Sequence, residues 1–159
     1  MASEQILLAK IIVVSDGVAA GTREDKGGPA LGGRLAAAGY DVVGQEIVPD
    51  GEDSVAEAVR SAAADFAGVV VTTGGTGFGP RDLTPEGTRH AIDREAPGLA
   101  EAMRLVNPLG RLSRGTAGTC GTALVLNLPG SPNGAVECLD AVVDVLPHAL
   151  HLLAGGRPH

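Results

Sequence analysis

Tryptophan is absent from this 159-residue chain, and one tyrosine and two phenylalanines are its only aromatic residues. A core must therefore be assembled from valine, leucine, isoleucine and alanine, and the length suffices for one domain with a sizeable interior. Cysteine is scarce too. Cys120 and Cys138 fit neither a disulfide framework nor a zinc site, which points to two reduced thiols in a cytoplasmic protein. Positive charge is in deficit: 12 Lys and Arg against 19 Asp and Glu leave a net charge of −7. That balance argues against nucleic acid or an anionic membrane as a partner through the bulk field. No apolar run approaches the ~18 residues of a membrane span. The apolar stretch from Ile6 to Ser15 carries Lys10 and is followed by no clean small-residue cleavage site, so no signal peptide is expected.

What the chain does have is glycine, 24 residues of it, punctuating alternating strand and helix patterns. Ile6–Val14 reads as a strand covered on both faces. A polar loop follows over 16–27, then a short Ala/Leu helix over 29–38 that stops at Gly39. Tyr40–Val48 reads as a second strand. Ser54, with Glu57 three residues on, reads as the capping box of a helix whose apolar positions include Val55, Val59, Ala62 and Phe66. A third strand covers Gly68–Val71. Helices are expected near 85–94 and 98–106, a strand over Thr122–Leu128, and a last helix capped by Ser131 that runs to about Leu153. Its apolar positions Val136, Leu139, Val143, Leu146 and Leu150 recur at steps of three and four. This order predicts a single three-layer α/β domain over residues 1–155, mainly a parallel sheet with helices on both faces, and a frayed tail over 156–159.

The most informative stretch is 72–85, Thr-Thr-Gly-Gly-Thr-Gly-Phe-Gly-Pro-Arg-Asp-Leu-Thr-Pro. Bare backbone at Gly74, Gly75, Gly77 and Gly79 follows a buried strand, and Thr84-Pro85 reads as an N-cap and first helical position. Strand, naked loop and helix start together make an anion site, because unpaired N–H groups and the helix dipole face the ligand. The loop lacks the Lys-Ser/Thr pair of a P-loop, and Pro80 stands where a dinucleotide fingerprint needs its third glycine. In parallel sheets ligands bind beyond the carboxyl ends of the strands. Those ends carry Ser15-Asp16, Pro49-Asp50, the glycine loop with Arg81-Asp82, and Pro129-Gly130-Ser131-Pro132. Asp50 and Asp82 thus converge beside an anion-binding loop, the usual setting for Mg²⁺ held by one or two acids and substrate oxygens. Taken singly, Asp50 also reads as a turn residue, and Asp82 as a partner for Arg81 or a helix-terminus acid.

These motifs in this order, Thr73-Gly74-Gly75-Thr76-Gly77, Arg81-Asp82-Leu83-Thr84-Pro85, Ser113-Arg114 with Gly118, and Leu128-Pro129-Gly130-Ser131-Pro132, resemble the MoaB/Mog family of molybdenum-cofactor biosynthesis over essentially the whole chain. The resemblance implies a compact α/β domain assembling as a homotrimer. It implies Mg-ATP-dependent adenylylation of molybdopterin, with pyrophosphate as the second product and a possible contact with the molybdenum insertase. Asp50 and Asp82 match the essential carboxylates of active members, as catalytic residues and metal ligands. Gly74, Gly75, Thr76, Gly77, Ser113, Gly130 and Ser131 match positions lining the pterin and nucleotide pocket. Ser15, Asp16, Thr73, Arg81 and Pro132 complete the expected substrate-binding set. Arg81 and Arg114 are expected to add local positive charge. Two alternatives stay open on sequence alone: a non-catalytic molybdopterin-binding member, and a related nucleotide pyrophosphatase-like domain. Outside the motifs, His90 reads as a surface helix residue, His148 and His151 make a poor metal site without a carboxylate neighbour, and Asp25-Lys26-Gly27-Gly28 reads equally as a substrate contact or a solvent loop.

Overall fold

The structure, a computed structural model, describes residues 4–157. Both ends of the chain, 1–3 and 158–159, including part of the tail expected to fray, lie outside the described residues. Six strands form one sheet in the order β2-β1-β3-β6-β5-β4. The first four, β1 (Leu7–Val14), β2 (Tyr40–Val48), β3 (Val69–Thr73) and β6 (Ala123–Leu128), run parallel, whereas β5 (Ala117–Cys120) and β4 (Arg94–Glu95) extend the sheet antiparallel. This is the expected α/β architecture with an antiparallel edge.

Side-chain alternation along the central strands divides the interior into two cores. Ala9, Ile11 and Val13 of β1, with Val69, Val71, Leu124 and Leu126, face α2 (Gly27–Ala37), α5 (Pro97–Arg104), α6 (Pro132–Asp140) and α7 (Leu146–Leu153). Ile12, Val14, Val70 and Val125 face α3 (Glu52–Ala63), through Val55 and Val59, and α4 (Thr84–Ala91), through Ala91. Both cores are aliphatic. Phe66 is the aromatic exception on the α3 side, and Tyr40, with its hydroxyl buried and unpartnered, on the other.

Several elements differ from their sequence patterns. The loop over 16–27 begins with a helical turn, α1 (Asp16–Ala19), because the Ser15 hydroxyl accepts a hydrogen bond from the Val18 N–H. Helix α3 starts at Glu52, not Ser54: Ser54 donates back to the Pro49 and Gly51 carbonyls instead of capping. Helix α4 ends at Ala91, and Arg94–Glu95 pairs with β5 as an edge strand. The expected last helix is two. α6 ends at Asp140 and α7 restarts at Leu146, because Pro147 lacks the N–H that would bond back to Val143 and its ring clashes with that carbonyl. Ser131 does cap α6, its hydroxyl accepting from the Gly134 N–H.

Candidate functional site

In the order β2-β1-β3-β6 the chain winds outward from β1 in both directions, so the topological switch lies between the carboxyl ends of β1 and β3. A cavity of about 420 Å³ opens there. Val14 and Ser15 from the end of β1 and Thr73, Gly74 and Gly75 from the end of β3 form its floor. Asp50, Asp82, Gly130 and Pro132 line its walls, and residues 23–27 close its remaining side.

The glycine loop is built for close approach. Gly74 and Gly75 have φ of +107° and +70°, backbone that side chains disfavour. A Cβ on Gly75 would fall well under 3.0 Å from Thr84 Oγ1 and 3.1 Å from Asp50 Oδ1. Gly74 N–H bonds the Leu128 carbonyl, whereas the N–H groups of Gly75, Thr76 and Gly77 donate to no protein acceptor among the described residues. Thr84 is not an N-cap. Its buried hydroxyl donates to the Gly74 carbonyl at 2.9 Å and its N–H to Gly75 O at 3.1 Å, tying the loop onto α4.

The two carboxylates are held by backbone. Asp50 and Asp16 exchange bonds: Asp16 N–H donates to Asp50 Oδ2 (2.9 Å) and Asp50 N–H to Asp16 Oδ1 (3.1 Å). Asp82 Oδ2 accepts from the Gly79 N–H at 2.8 Å. Each carboxylate therefore keeps its Oδ1 free of protein donors among the described residues. Burial pushes the Asp50 carboxyl above the usual carboxylate range, reinforced by the negative charges of Asp16 and Asp82 and opposed by the Asp16 N–H and by Arg81. No group of three or more His, Cys, Asp or Glu is placed to hold a metal among the described residues. The donor set that exists is two hard oxygens beside open backbone, which suits a cation that completes its shell with substrate oxygens.

The two arginines expected to add local positive charge are already engaged. Arg81 clamps Asp16 with two hydrogen bonds, 2.6 and 3.0 Å, and donates to the Asp50 carbonyl at 2.7 Å. Its guanidinium holds the Asp16 carboxyl below the usual range. Arg81 thus braces Asp50 through Asp16 and does not pair with Asp82. Arg114 donates to the carbonyls of Gly77 and Asp82 and, bidentately, to Glu86, while its own N–H bonds Thr76 O. It pins both ends of the segment that carries Asp82. The Glu86 bond is the main influence on both groups, lowering the carboxyl and raising the guanidinium. Thr76 and Gly77 act here through their carbonyls.

Ser113 and Ser131 lie elsewhere. They line a second, mostly apolar cavity of about 220 Å³ with Met103, Val106, Leu109 and Cys138. Pro129 and Ser131 face this cavity while Gly130 and Pro132 face the first, so the Pro129–Pro132 turn is the partition between them. The expected site residues thus fall into two adjoining cavities and the braces around them. Glu86, Arg23 and Glu24 were not singled out as site residues by sequence. In sequence Glu86 is an ordinary first-turn acid of α4, and Arg23 and Glu24 carry no motif. His90 is an exposed residue on α4 paired with Glu52, and His151 reaches the Arg157 carbonyl.

The family model described as "Probable molybdopterin binding domain" matches residues 10–148. The chain belongs to the MoaB/Mog family. The crystal structure of the molybdopterin biosynthesis enzyme MoaB from Thermus thermophilus superposes with a TM-score of 0.88 at 44% identity, covering 97% of this chain and 100% of that one. The molybdopterin adenylyltransferase of Haemophilus influenzae is 36% identical over 170 residues, 94% of this chain and 86% of that protein. The Drosophila melanogaster molybdenum cofactor synthesis protein cinnamon is 37% identical over 150 residues, 90% of this chain. The chain spans only 25% of the Drosophila protein and 48–65% of three further curated relatives. No helix among the described residues is long and apolar enough to cross a membrane.

Proposed function

We propose that this chain is a molybdopterin adenylyltransferase of molybdenum-cofactor biosynthesis, transferring AMP from Mg-ATP to molybdopterin. The observation that carries the reading is the meeting of Asp50 and Asp82, 32 residues apart in sequence, in one cavity with the open N–H of Gly75. Relatives bearing that activity's name cover nearly all of the chain. In the reaction a terminal phosphate oxygen of molybdopterin bonds to the α-phosphorus of ATP. The bond from that phosphorus to its bridging oxygen breaks, and pyrophosphate leaves with the electron pair. The nucleophile is a phosphate that is already largely ionised at neutral pH, so neither carboxylate need act as a base. Asp50 and Asp82 offer their free oxygens to Mg²⁺, which when bound neutralises phosphate charge and stabilises the leaving group. The open Gly75 N–H takes up further phosphate charge without a side chain in the way. Arg81, Asp16 and Arg114 keep the two acids in place.

The two cavities divide the substrates: nucleotide phosphates in the polar one, the pterin ring in the apolar one, with the molybdopterin phosphate crossing the Gly130–Ser131 turn. Four carboxylates, Glu24, Asp25, Asp50 and Asp82, line the polar cavity against two cations, Arg23 and Lys26. A bare triphosphate entering it meets net negative charge, which favours the metal complex over free ATP. We place the reaction in the cytoplasm, where two free thiols are stable. We assign the working form as a homotrimer that passes its product to an insertase. Exposed Leu105, Leu109 and Leu112 supply an apolar surface in and beside the Pro108–Leu112 turn. The test is incubation with molybdopterin, ATP and Mg²⁺, followed by chromatography for adenylylated product and pyrophosphate. Neither species above the protein-free control would contradict the proposal.

A further inference from the structure

We propose that Arg23 and Lys26, on the loop between α1 and α2, bind the terminal pyrophosphate portion of the nucleotide and receive the leaving group. This rests on the nucleotide reading above. The starting point is an imbalance: the two arginines in the signature motifs are spent on protein acceptors, Arg81 on Asp16 and the Asp50 carbonyl, Arg114 on Glu86 and the Gly77 and Asp82 carbonyls. Arg23 and Lys26 line the same cavity as Asp50, Asp82 and Gly75 and form no salt bridge among the described residues. They are the cations of this cavity left free to meet an anion.

The loop that carries them is fixed at both ends. Thr22 and Arg23 donate their N–H groups to the Gly17 carbonyl at 2.9 and 3.2 Å, folding the chain back on α1. The Arg23 stem packs over Gly17, where a Cβ would come within 3.1 Å of Arg23 Cβ. On the other side Asp25 accepts from the Gly28 N–H at 2.9 Å and from the Gln45 side chain of β2 at 3.4 Å, which ties the loop to the start of α2 and to the sheet. Gly27 is buried against Thr73, at the foot of the cavity. The two free cations therefore project from anchored backbone, which lowers the entropy cost of ordering them on a ligand.

The nucleotide, and not molybdopterin, is assigned to them because none of residues 23–27 lines the second cavity. The Pro129–Pro132 turn separates the two. As the α-phosphorus bond breaks, charge collects on the departing pyrophosphate, and cations placed there stabilise the transition state more than the bound ground state.

The test is calorimetric titration of the intact protein with inorganic pyrophosphate, ATP and AMP in Mg²⁺ buffer. The variants are Arg23→Gln, Lys26→Gln, the double variant and Arg23→Lys, with unchanged thermal unfolding as the control for folding. Charge-assisted hydrogen bonds of this kind predict that each neutral variant weakens pyrophosphate and ATP by about tenfold, and AMP by less than about twofold. Arg23→Lys should recover part of the loss. Pyrophosphate affinity of the double variant within about twofold of the parent, or AMP weakened as much as ATP, would overturn this assignment while leaving the adenylyltransferase reading in place. A parent that binds neither ATP nor pyrophosphate would overturn both.

Discussion

Replacing Gly75 by alanine adds a single methyl group at the point where loop, helix and acid meet. Gly75 has φ of +70°, and placing an L-residue in that region costs about 1–2 kcal/mol. The new Cβ also collides with Thr84 Oγ1. Thr84 is fully buried at the start of α4, and its β-branched side chain has few rotamers to escape into. If the hydroxyl turns away, it surrenders its bond to the Gly74 carbonyl, leaving buried polar groups unpaired at about 1–3 kcal/mol. The two effects together come to about 2–5 kcal/mol, a large share of a typical domain's stability. For a chain of this size that lowers the melting temperature by about 5–20 °C. Scanning calorimetry of the variant checks the figure, and titration with Mg-ATP checks the site, because the same Cβ lies 3.1 Å from Asp50 Oδ1 and narrows the phosphate path. A variant that melts within about 2 °C of the parent and binds ATP equally well would refute the close-approach reasoning.

Arg114→Ala should lower turnover by about tenfold or more and raise local mobility, since it frees the carbonyls of Gly77 and Asp82 and leaves Glu86 unpaired. Hydrogen exchange over residues 76–83 and a kcat assay check both. Asp50→Asn should be at least as stable as the parent at neutral pH. Burial raises the folded-state carboxyl above its ordinary value of 3.8, so ionised Asp50 opposes folding, and that penalty vanishes as pH falls through the raised value. The stability difference between variant and parent should therefore shrink on acidification, as read from urea midpoints across pH 3–7. Asp16 is the opposite case: its lowered carboxyl contributes stability that is lost as pH falls through the folded value, below 3.8. Light scattering at micromolar concentration should give three times the chain mass, and a clean monomer or dimer would remove the trimer.

Much of this arrangement is legible in the sequence because it is local. Strand ends that fall on Asp50 and on Gly74-Gly75 declare themselves by apolar runs stopping at glycine and aspartate, and Ser131-Pro132 announces a helix start through cap chemistry alone. What stayed hidden depends on distant partners or on weak patterns. Strand β5, Ala-Gly-Thr-Cys, carries little of the β-branched bulk that marks a strand, and is defined by pairing with β6. The final helix looked continuous because apolar steps of three and four run through Pro147, although its backbone cannot. The duties of Arg81 and Arg114 could not be read at all: Arg81 meets Asp16 across 65 positions and Arg114 meets Glu86 across 28. A motif arginine beside a phosphate loop suggests a ligand contact, and only the tertiary fold shows that both charges are spent on positioning.

The most direct measurement is the rate of adenylylated molybdopterin formation by the parent, Asp82→Asn and Asp50→Asn at saturating ATP across a Mg²⁺ titration. Each substitution keeps the side chain's shape and removes the charge facing the glycine loop. Mg²⁺-dependent turnover by the parent is expected, with a fall of at least about 10²-fold for Asp82→Asn, Asp50→Asn reduced in the same way and both variants folded. Variants that adenylylate at the parental rate would contradict it.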